Sequence, residues 1–292
     1  MPPKGAGEGR CNLSFYYYIA ATSYCGNTSS TASGPPSPKG KAKVLPHQYN
    51  IIDFPFLFPE LDGKMFEKSE GVNMATCVIF CAAEFDSLAA PLKDGDYLLA
   101  ADGGLAHLQK LGLKPDGIIG DFDSLGYFPE GAEVFPVEKD DTDAMLAARK
   151  GLELGFRDFL FYGSLDGPRL DHTIANFQTL QFLADHGAVG YLVGRDYIIT
   201  VVKNGAISFD ETAEGIFSLF CLGHDAHGVT IEGLHYPLEN GTLTPGFPLG
   251  VSNHFTGKPA TVTVKNGSLL AMWDRKNGFP ERGNCTAVAV EC

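Results

Sequence analysis

The sequence predicts an α/β protein with two parts: an N-terminal doubly wound, mostly parallel sheet (Rossmann-like) and a C-terminal antiparallel β-sandwich. Between residues 74 and 194, short apolar runs alternate with helical patterns that end at glycine. This alternation is typical of a parallel sheet whose strands are joined by helices. After residue 195 the helical patterns stop, and short β-type runs separated by turn sequences take over, as in antiparallel β domains.

The first part is expected to begin near Met74 and to alternate strands with helices. The helix at 104–111 places leucines three residues apart and is followed by Gly112 and Pro115, a regular stop signal. Asp141 or Thr142 is the expected cap of the helix at 143–154. In chain order, the predicted elements are strand 77–81, a short helix at 84–90, strand 97–101, helix 104–111, strand 117–120, strand 133–137, helix 143–154, strand 158–162, helix 171–185 and strand 189–193.

The second part is predicted to contain strands at 197–202, 206–209, 216–222, 229–231, 261–265 and 268–273. Two Lys-Asn-Gly sequences, at 203–205 and 265–267, lie between apolar runs and predict hairpin turns. The tail, residues 277–292, carries no informative pattern. We therefore expect an α/β domain over 74–194, a β-sandwich domain over 195–276 and a tail over 277–292.

Residues 1–73 differ in composition from the rest of the chain. They contain a stretch rich in Pro, Gly and Ser at 33–38 and have nearly balanced charge. The short apolar run at 15–21 resembles the core of a signal peptide, but it is short and has polar flanks. The simpler interpretation is an extension that is disordered or poorly ordered.

Composition excludes several classes of protein. The formal net charge of −13 argues against a nucleic-acid partner. The sequence has no apolar run of about 18 residues, so no membrane span is expected. The seven cysteines include no Cys-x-x-Cys pair, which favours a reduced, cytoplasmic protein over a disulfide scaffold.

Polar clusters follow four of the predicted parallel strands. Because the carboxyl ends of parallel strands meet at one edge of an open sheet, where such folds bind ligands, we expect these clusters to form one site. Surface turns with no common role would scatter acidic residues over both edges. The clusters are Asp102-Gly103-Gly104 after the second strand, Asp121 and Asp123 after the third, residues 140–143 after the fourth and residues 164–172 after the fifth.

Asp121 and Asp123 lie two residues apart where the chain leaves an apolar run. If the backbone is still extended there, both carboxylates point to the same side. Two like charges held together raise each other's pKa, and a divalent cation such as Mg²⁺ removes that cost. Asp and Ser are also ordinary turn residues, so the residues alone leave a metal site and a solvated acidic turn both open.

Several further residues are candidates for contacts with phosphate. Arg169 has a planar guanidinium that can clamp phosphate oxygens, whereas Asp171 can cap the next helix or hold a metal or Arg169. The glycines at 103 and 104 allow close approach of backbone amides to an anion, or simply form a turn. The sequence has neither a Gly-x-x-x-x-Gly-Lys-Ser/Thr loop nor a Gly-x-Gly-x-x-Gly loop. Phosphate would therefore be bound by metal, Arg169, Lys139 and amides at helix starts.

The motifs resemble, in order and spacing, those of the thiamine pyrophosphokinase family, and are closer to its bacterial form. The resemblance runs from about residue 74 to about residue 275. It rests on Asp102-Gly103-Gly104, Lys114-Pro115-Asp116, Gly120-Asp121-Phe122-Asp123-Ser124, Asp141-Thr142-Asp143, the stretch from Arg169 to Asn176, the stretch from Phe217 to Phe220, the stretch from Glu232 to Leu238, and Gly250-Val251-Ser252-Asn253.

The resemblance implies an ATP-dependent transfer of pyrophosphate to the thiamine hydroxyl, with release of AMP, a Mg²⁺ cofactor and a homodimer with active sites between subunits. It assigns the metal to Asp121, Asp123 and Asp143, and catalysis to these three together with Arg169 and Asp171. The resemblance implies thiamine contacts from Ser252 and Asn253. The candidates for nucleotide contacts are Asp102, Gly103, Gly104, Lys139, Ser164 and His172, with a packing or hydrogen-bonding role as the alternative for His172. Tyr236 is a further candidate beside the cationic thiazolium ring, and a core position is its alternative.

The chain departs from the family pattern in two places. The loop at 163–168 replaces a Gly-richer sequence and adds an aspartate and a proline, and residues 1–73 have no counterpart. Two other functions therefore stay open: a different Mg²⁺-dependent phosphotransferase or phosphohydrolase, and a non-catalytic thiamine-binding module. The products formed from ATP distinguish the three.

Overall fold

The computed structural model describes residues 75–121, 131–134 and 141–284, and all of them belong to one compact unit. The predictions for residues 1–73, for Asp123, for Lys139 and for residues 285–292 of the tail fall outside the described residues.

The described residues form three α-helices and two sheets. The helices are α1 (Leu105–Lys110), α2 (Asp143–Glu153) and α3 (Leu170–Asp185), and short 3-10 helices span Asp102–Gly104 and Arg275–Asn277. The strands are β1 (Thr76–Phe80), β2 (Tyr97–Ala101), β3 (Gly117–Gly120), β4 (Glu133–Val134), β5 (Asp158–Tyr162), β6 (Val189–Val193), β7 (Tyr197–Lys203), β8 (Gly205–Phe209), β9 (Ile216–Cys221), β10 (Ala226–Glu232), β11 (Leu238–Leu243), β12 (Asn253–His254), β13 (Ala260–Thr263), β14 (Ser268–Asp274) and β15 (Glu281–Asn284).

The larger sheet has the strand order β12-β9-β14-β7-β6-β5-β1-β2-β3-β4. Its six strands from β6 to β4 are parallel, and the four strands on the β7 side pair antiparallel. The chain starts at β1, fills one side as far as β4, and then returns to place β5 and β6 on the other side of β1. The order therefore reverses between β1 and β5, and ligands bind outside the carboxyl ends of strands at such a reversal.

Helices cover both faces of the parallel strands. Successive side chains of a strand point to opposite faces, so an apolar strand has two faces to bury. On one face, Leu108 of α1 packs in the same core cluster as Val78 of β1. On the other face, Ala147 of α2 and Leu183 of α3 pack in a cluster with Ile79 of β1. Within the described residues, no helix is long and apolar enough to cross a membrane.

The second sheet is antiparallel and has the order β11-β10-β13-β8-β15. Its core is shared with the antiparallel strands of the larger sheet: Phe209 of β8 packs against Phe217 of β9 and against Trp273 of β14. The expectation of a mixed α/β protein with a parallel-containing sheet and a separate antiparallel sheet is thus confirmed. The expected boundary at 194–195 falls between β6 and β7, which pair with each other, and the division into two domains stays a prediction.

The short helix expected at 84–90 is wrong, because this segment has no regular secondary structure. Tertiary contacts replace the helical hydrogen bonds. The Phe85 ring packs edge-on against Tyr162, and the backbone N–H of Ala89 donates to the Tyr162 hydroxyl at 3.1 Å. Glu84 and Asp86 both pair with Arg195, more than a hundred residues away in sequence.

The two Lys-Asn-Gly turns are also not hairpins. Each joins a strand of one sheet to a strand of the other, β7 to β8 and β13 to β14. The turns bind each other: the N–H of Asn204 donates to the carbonyl of Gly267 at 3.2 Å, and the N–H of Gly267 donates to Asn204 Oδ1 at 2.9 Å. Sequence alone identified the turns but not that they pair across the two sheets.

Candidate functional site

A cavity of about 600 Å³ opens at the carboxyl ends of the parallel strands, at the reversal between β1 and β5. The loops after β1, β2, β3 and β5 and the first turns of α2 and α3 form its walls. Its lining residues are Cys81, Ala82, Ala83, Ala101, Asp102, Asp121, Thr142, Asp143, Ala144, Gly163, Ser164, Gly167, Pro168, Arg169, His172, Thr173 and Asn176. The four polar clusters found in the sequence therefore contribute to one site, as expected.

Two glycines allow the cavity walls to pack closely. A Cβ on Gly104 would lie 1.8 Å from the carbonyl oxygen of Phe80, so only glycine lets the start of α1 reach the end of β1. Gly163 has a φ of 63°, and its Cβ would lie 2.4 Å from the Cys81 carbonyl oxygen. The Ala83 N–H donates to the Gly163 carbonyl at 2.8 Å, which holds the loops after β1 and β5 together.

One wall of the cavity is acidic. Asp102 follows β2, Asp121 follows β3, and Asp143 is the first residue of α2. Thr142 is the N-cap of α2, and its Oγ1 accepts the N–H of Met145 at 3.2 Å, which fixes Asp143 in the first turn. Burial, with a further contribution from the charge of Asp143, raises the pKa of the Cys81 thiol to about 12.

The acidic wall suits a hard cation held jointly by protein and ligand. Among the described residues, no group of three or more His, Cys, Asp or Glu side chains is arranged to hold a metal by itself. Asp121 and Asp143 line the cavity, whereas Asp123 lies outside the described residues. Mg²⁺ commonly takes one or two protein carboxylates and completes its shell with substrate phosphates and water. The carboxylates present therefore fit a metal–nucleotide complex better than a closed metal cage.

Arg169 and Asp171 form a bidentate ion pair at the start of α3. Arg169 Nε donates to Asp171 Oδ1 at 2.9 Å, and Nη2 donates to Oδ2 at 2.6 Å. The hydrogen bond from Arg169 is the main cause that lowers the pKa of Asp171 to about 2. Asp171 does not cap α3, whose N-cap residue is Arg169 itself. Of the alternatives left open by the sequence, the structure favours a carboxylate that orients Arg169.

The remaining nucleotide candidates differ in position. Ser164 is buried, its hydroxyl donates to the Phe161 carbonyl at 3.4 Å, and its own carbonyl accepts from Asn176 Nδ2 at 2.7 Å. His172 is exposed and lines the cavity. Gly103 and Gly104 do not line it, and the close packing of Gly104 supports the turn interpretation for this pair.

Several lining residues were given no role from the sequence. Asn176 lies four residues after His172 on α3, which places both on one helix face, and this spacing was the available signal. The backbone of residues 81–83 was missed because apolar side chains give no sign of a binding role. Ala101 and Ala144 were missed for the same reason.

The thiamine candidates lie together but not at this cavity. Asn253 is buried, its Nδ2 donates to the Tyr236 carbonyl at 2.8 Å, and its Oδ1 accepts the Tyr236 N–H at 2.9 Å. The Ser252 N–H donates to Ser218 Oγ at 3.0 Å. The Tyr236 side chain is 59% exposed, so the core alternative for it is wrong. None of these three residues lines the cavity.

Comparison with known families separates the same two regions of the chain. Residues 88–189 match the family model described as "Thiamin pyrophosphokinase, catalytic domain". Residues 204–269 match the model described as "Thiamin pyrophosphokinase, vitamin B1 binding domain". The two matches together cover more than half of the chain. The chain belongs to the thiamine pyrophosphokinase family.

Individual members of the thiamine pyrophosphokinase family agree with this assignment. The thiamine pyrophosphokinase of Bacillus subtilis (strain 168) is 29% identical over 182 residues, which cover 59% of this chain and 84% of the relative. A solved structure of thiamine pyrophosphokinase from Bacillus subtilis has a TM-score of 0.62 at 24% identity, and the match covers 68% of this chain and 98% of that one. Yeast thiamin pyrophosphokinase has a TM-score of 0.56 at 15% identity and covers 71% and 89%. These likenesses in structure establish the shared fold.

Proposed function

We propose that this chain is a thiamine pyrophosphokinase, which transfers the pyrophosphoryl group of ATP to the hydroxyl of thiamine and forms thiamine diphosphate and AMP. The observation that carries the proposal is the acidic cavity at the β1–β5 reversal. All of its lining residues from Ala101 onward fall within the stretch that matches the family's catalytic domain, 88–189.

The proposed roles follow from the chemistry of pyrophosphoryl transfer, which needs positioning and charge neutralisation more than covalent help. Mg²⁺, when bound, would neutralise the phosphate oxygens, and Asp121, Asp123 and Asp143 are the carboxylates proposed to hold it. Arg169, held by Asp171, would bind the charge that develops on the transferred group.

Nucleotide and thiamine are proposed to reach the site from different surfaces. We assign nucleotide contacts to Asp102, Lys139, Ser164 and His172, and thiamine contacts to Ser252, Asn253 and Tyr236. Because the thiamine candidates do not line the cavity of their own chain, a homodimer in which each chain completes the site of the other would bring the two sets together.

Three further proposals concern the two domains and the cellular location of the protein. The reversed strand order with helices on both faces supports a Rossmann-like, doubly wound arrangement for residues 74–194. The shared core of the second sheet supports a β-sandwich domain over 195–276. The free thiols at Cys77, Cys81 and Cys221 support a cytoplasmic location, where thiols stay reduced.

The proposed function is tested by measuring AMP and thiamine diphosphate with full-length protein, ATP, Mg²⁺ and thiamine. We expect thiamine-dependent AMP formation, and a loss of about 10²- to 10³-fold in kcat/KM for Asp121→Asn. Asp94→Asn, an exposed change outside the cavity, is the matched control and is expected to retain activity. ADP or free phosphate as the product of ATP would indicate a different phosphotransferase or phosphohydrolase, and thiamine binding without AMP would indicate a non-catalytic module.

A further inference from the structure

The loop that joins β5 to α3 faces two directions. Gly163, Ser164, Gly167, Pro168 and Arg169 line the large cavity. The two residues in the middle of the loop do not. Leu165 is buried in the core cluster beneath the sheet edge, and Asp166 instead lines a small space behind the loop. The aspartate that this loop adds to the family pattern therefore does not add a carboxylate to the acidic wall.

Asp166 is held behind the loop by a specific hydrogen bond. Its Oδ2 accepts the backbone N–H of Arg195 at 2.9 Å. Its φ is 61°, a left-handed conformation that Asp and Asn adopt more readily than other side chains. A Cβ on Gly194 would lie 3.0 Å from Asp166 Oδ2, so a residue without a side chain precedes the donor. The backbone of Asp166 and the absence of a side chain at Gly194 therefore both suit this hydrogen bond.

The donor segment is itself fixed to the loop after β1. The Arg195 guanidinium pairs with Glu84, and its Nε donates to Asp86 Oδ2 at 2.9 Å. Arg275 bridges the same two segments, because its Nη1 donates to the Gly194 carbonyl at 3.0 Å and its Nη2 to the Ser87 carbonyl at 2.7 Å. Three loops at the carboxyl edge are thus tied together on the side away from the cavity.

We propose that Asp166 is a positioning residue: its carboxylate fixes the 163–169 loop against Arg195, so that Ser164, Gly167 and Arg169 are presented to the polyphosphate of ATP. The role in ATP binding rests on the proposed function. Asp166 touches no substrate in this arrangement. It acts through the loop, and its carboxylate lies behind the loop rather than in the acidic wall.

The test compares two substitutions that separate the hydrogen bond from the backbone conformation. Asp166→Asn keeps an oxygen acceptor and tolerates the positive φ, whereas Asp166→Gly tolerates the φ but removes the acceptor. Asn240→Gly is the matched control, because Asn240 also has a positive φ, of 46°, and lies on β11 away from the cavity. All variants are made in the full chain, and their melting temperatures are compared first.

Amide hydrogen exchange gives a result that does not depend on the reaction. We expect exchange in the peptide that covers 163–169 to rise about tenfold in Asp166→Gly and to stay at the wild-type rate in Asp166→Asn and Asn240→Gly. Wild-type exchange in Asp166→Gly would overturn the proposal, whether or not the wild-type protein makes thiamine diphosphate.

Steady-state kinetics then test the functional half. We expect kcat to fall about 10- to 100-fold in Asp166→Gly at an unchanged melting temperature. The reason is that a small displacement of a phosphate-binding loop slows pyrophosphoryl transfer strongly. Asp166→Asn keeps the acceptor and is expected to retain the wild-type kcat. Full activity of Asp166→Gly would refute the positioning role, whereas absence of thiamine-dependent AMP in the wild type would refute the proposed function and leave the exchange result to decide how Asp166 acts.

Discussion

At the scale of single residues, the Arg169–Asp171 pair shows how an exposed charge can be prepared for a ligand. Both side chains are about two-thirds exposed, 65% for Arg169 and 64% for Asp171, so the pair contributes little to stability. Its hydrogen bonds instead hold the planar guanidinium in one orientation beside the cavity. An arginine ordered in this way loses less freedom when it binds phosphate.

The coupling within this pair gives a direct prediction. In Arg169→Gln, Asp171 loses the main cause of its lowered pKa, so its pKa is expected to rise from about 2 toward the ordinary carboxyl value. Carboxyl ¹³C NMR titration of the full-length protein measures this shift. Arg157→Gln, which changes an exposed arginine that donates to the Leu152 and Phe156 carbonyls, should leave the pKa of Asp171 unchanged. Identical titration of Asp171 in all three proteins would contradict the prediction.

The sign of the pH dependence follows from the same shift. The folded-state pKa of Asp171 lies below its unfolded value, so the ion pair favours the fold above the unfolded pKa and is lost as the pH falls through about 2. Between pH 6 and 9 Asp171 stays ionised. Any pH dependence of the reaction in that window must come from other groups.

At the scale of secondary-structure elements, close packing at strand ends shapes the site. Gly104 lets α1 start directly against the end of β1, and the polar residue before the helix, Asp102, then lines the cavity. A larger residue would push α1 away from β1 and move this wall.

Gly104→Ala is therefore expected to destabilise the protein strongly. Its Cβ would lie 1.8 Å from the Phe80 carbonyl oxygen, a backbone atom that cannot move aside without distorting β1, and we expect a loss of about 3 kcal/mol or more in the free energy of unfolding. Chemical denaturation measures the loss. Gly246→Ala is the control, since nothing lies within 4 Å of the added Cβ. Equal stability of the two variants would show that the start of α1 is more adaptable than its packing indicates.

Elements with strong local signals were predictable from the sequence, and elements made by tertiary contacts were not. The strands β1, β2, β3, β5 and β6 are apolar and buried, and all were predicted. By contrast, β11 contains Glu239, Asn240 and Gly241, and its register against β10 shifts twice. The strand β15 has no apolar residue and exists by pairing with β8. The helix predicted at 84–90 failed because Arg195, remote in sequence, binds that segment instead.

The candidate site was predictable for a related reason. Asp121, Asp143 and Arg169 follow strands whose ends are predictable only approximately. The edge at which they meet depends instead on strand direction, which the alternating pattern establishes. The side of the loop on which each residue lies was not predictable from the sequence. Asp166 faces away from the cavity because of a bond to Arg195, and no local pattern indicates that partner.

At the scale of the whole molecule, the net charge of −13 opposes the approach of a polyphosphate to an acidic cavity. Of the cavity-lining residues, Arg169 is the one with a fixed positive charge, and it is already paired with Asp171. This charge balance favours the proposed binding of ATP as a metal–nucleotide complex, in which the metal adds positive charge. The same acidity favours a cationic second substrate such as thiamine.

The separation between the cavity and the thiamine candidates leads to a prediction about assembly. If each site takes its acidic wall from one chain and Ser252 and Tyr236 from the other, two inactive variants should complement each other in a mixed dimer. We expect Asp121→Asn alone and the double variant Tyr236→Ala/Ser252→Ala alone to lose most activity. In dimers that carry one chain of each variant, one of the two sites is intact, so dimers purified through both tags should recover about half of wild-type activity, and the unselected mixture from equal co-expression about a quarter.

The measurement is thiamine-dependent AMP formation by co-purified dimers that carry a different affinity tag on each chain, with the mass confirmed by light scattering. Each variant co-expressed with itself is the control and should stay inactive. Mixed dimers that recover no activity would place the whole site within one chain, and the separation of Tyr236 from the cavity would then have to be closed by movement within that chain. A monomer that is fully active would exclude the shared site directly, because no partner would be present to supply Ser252.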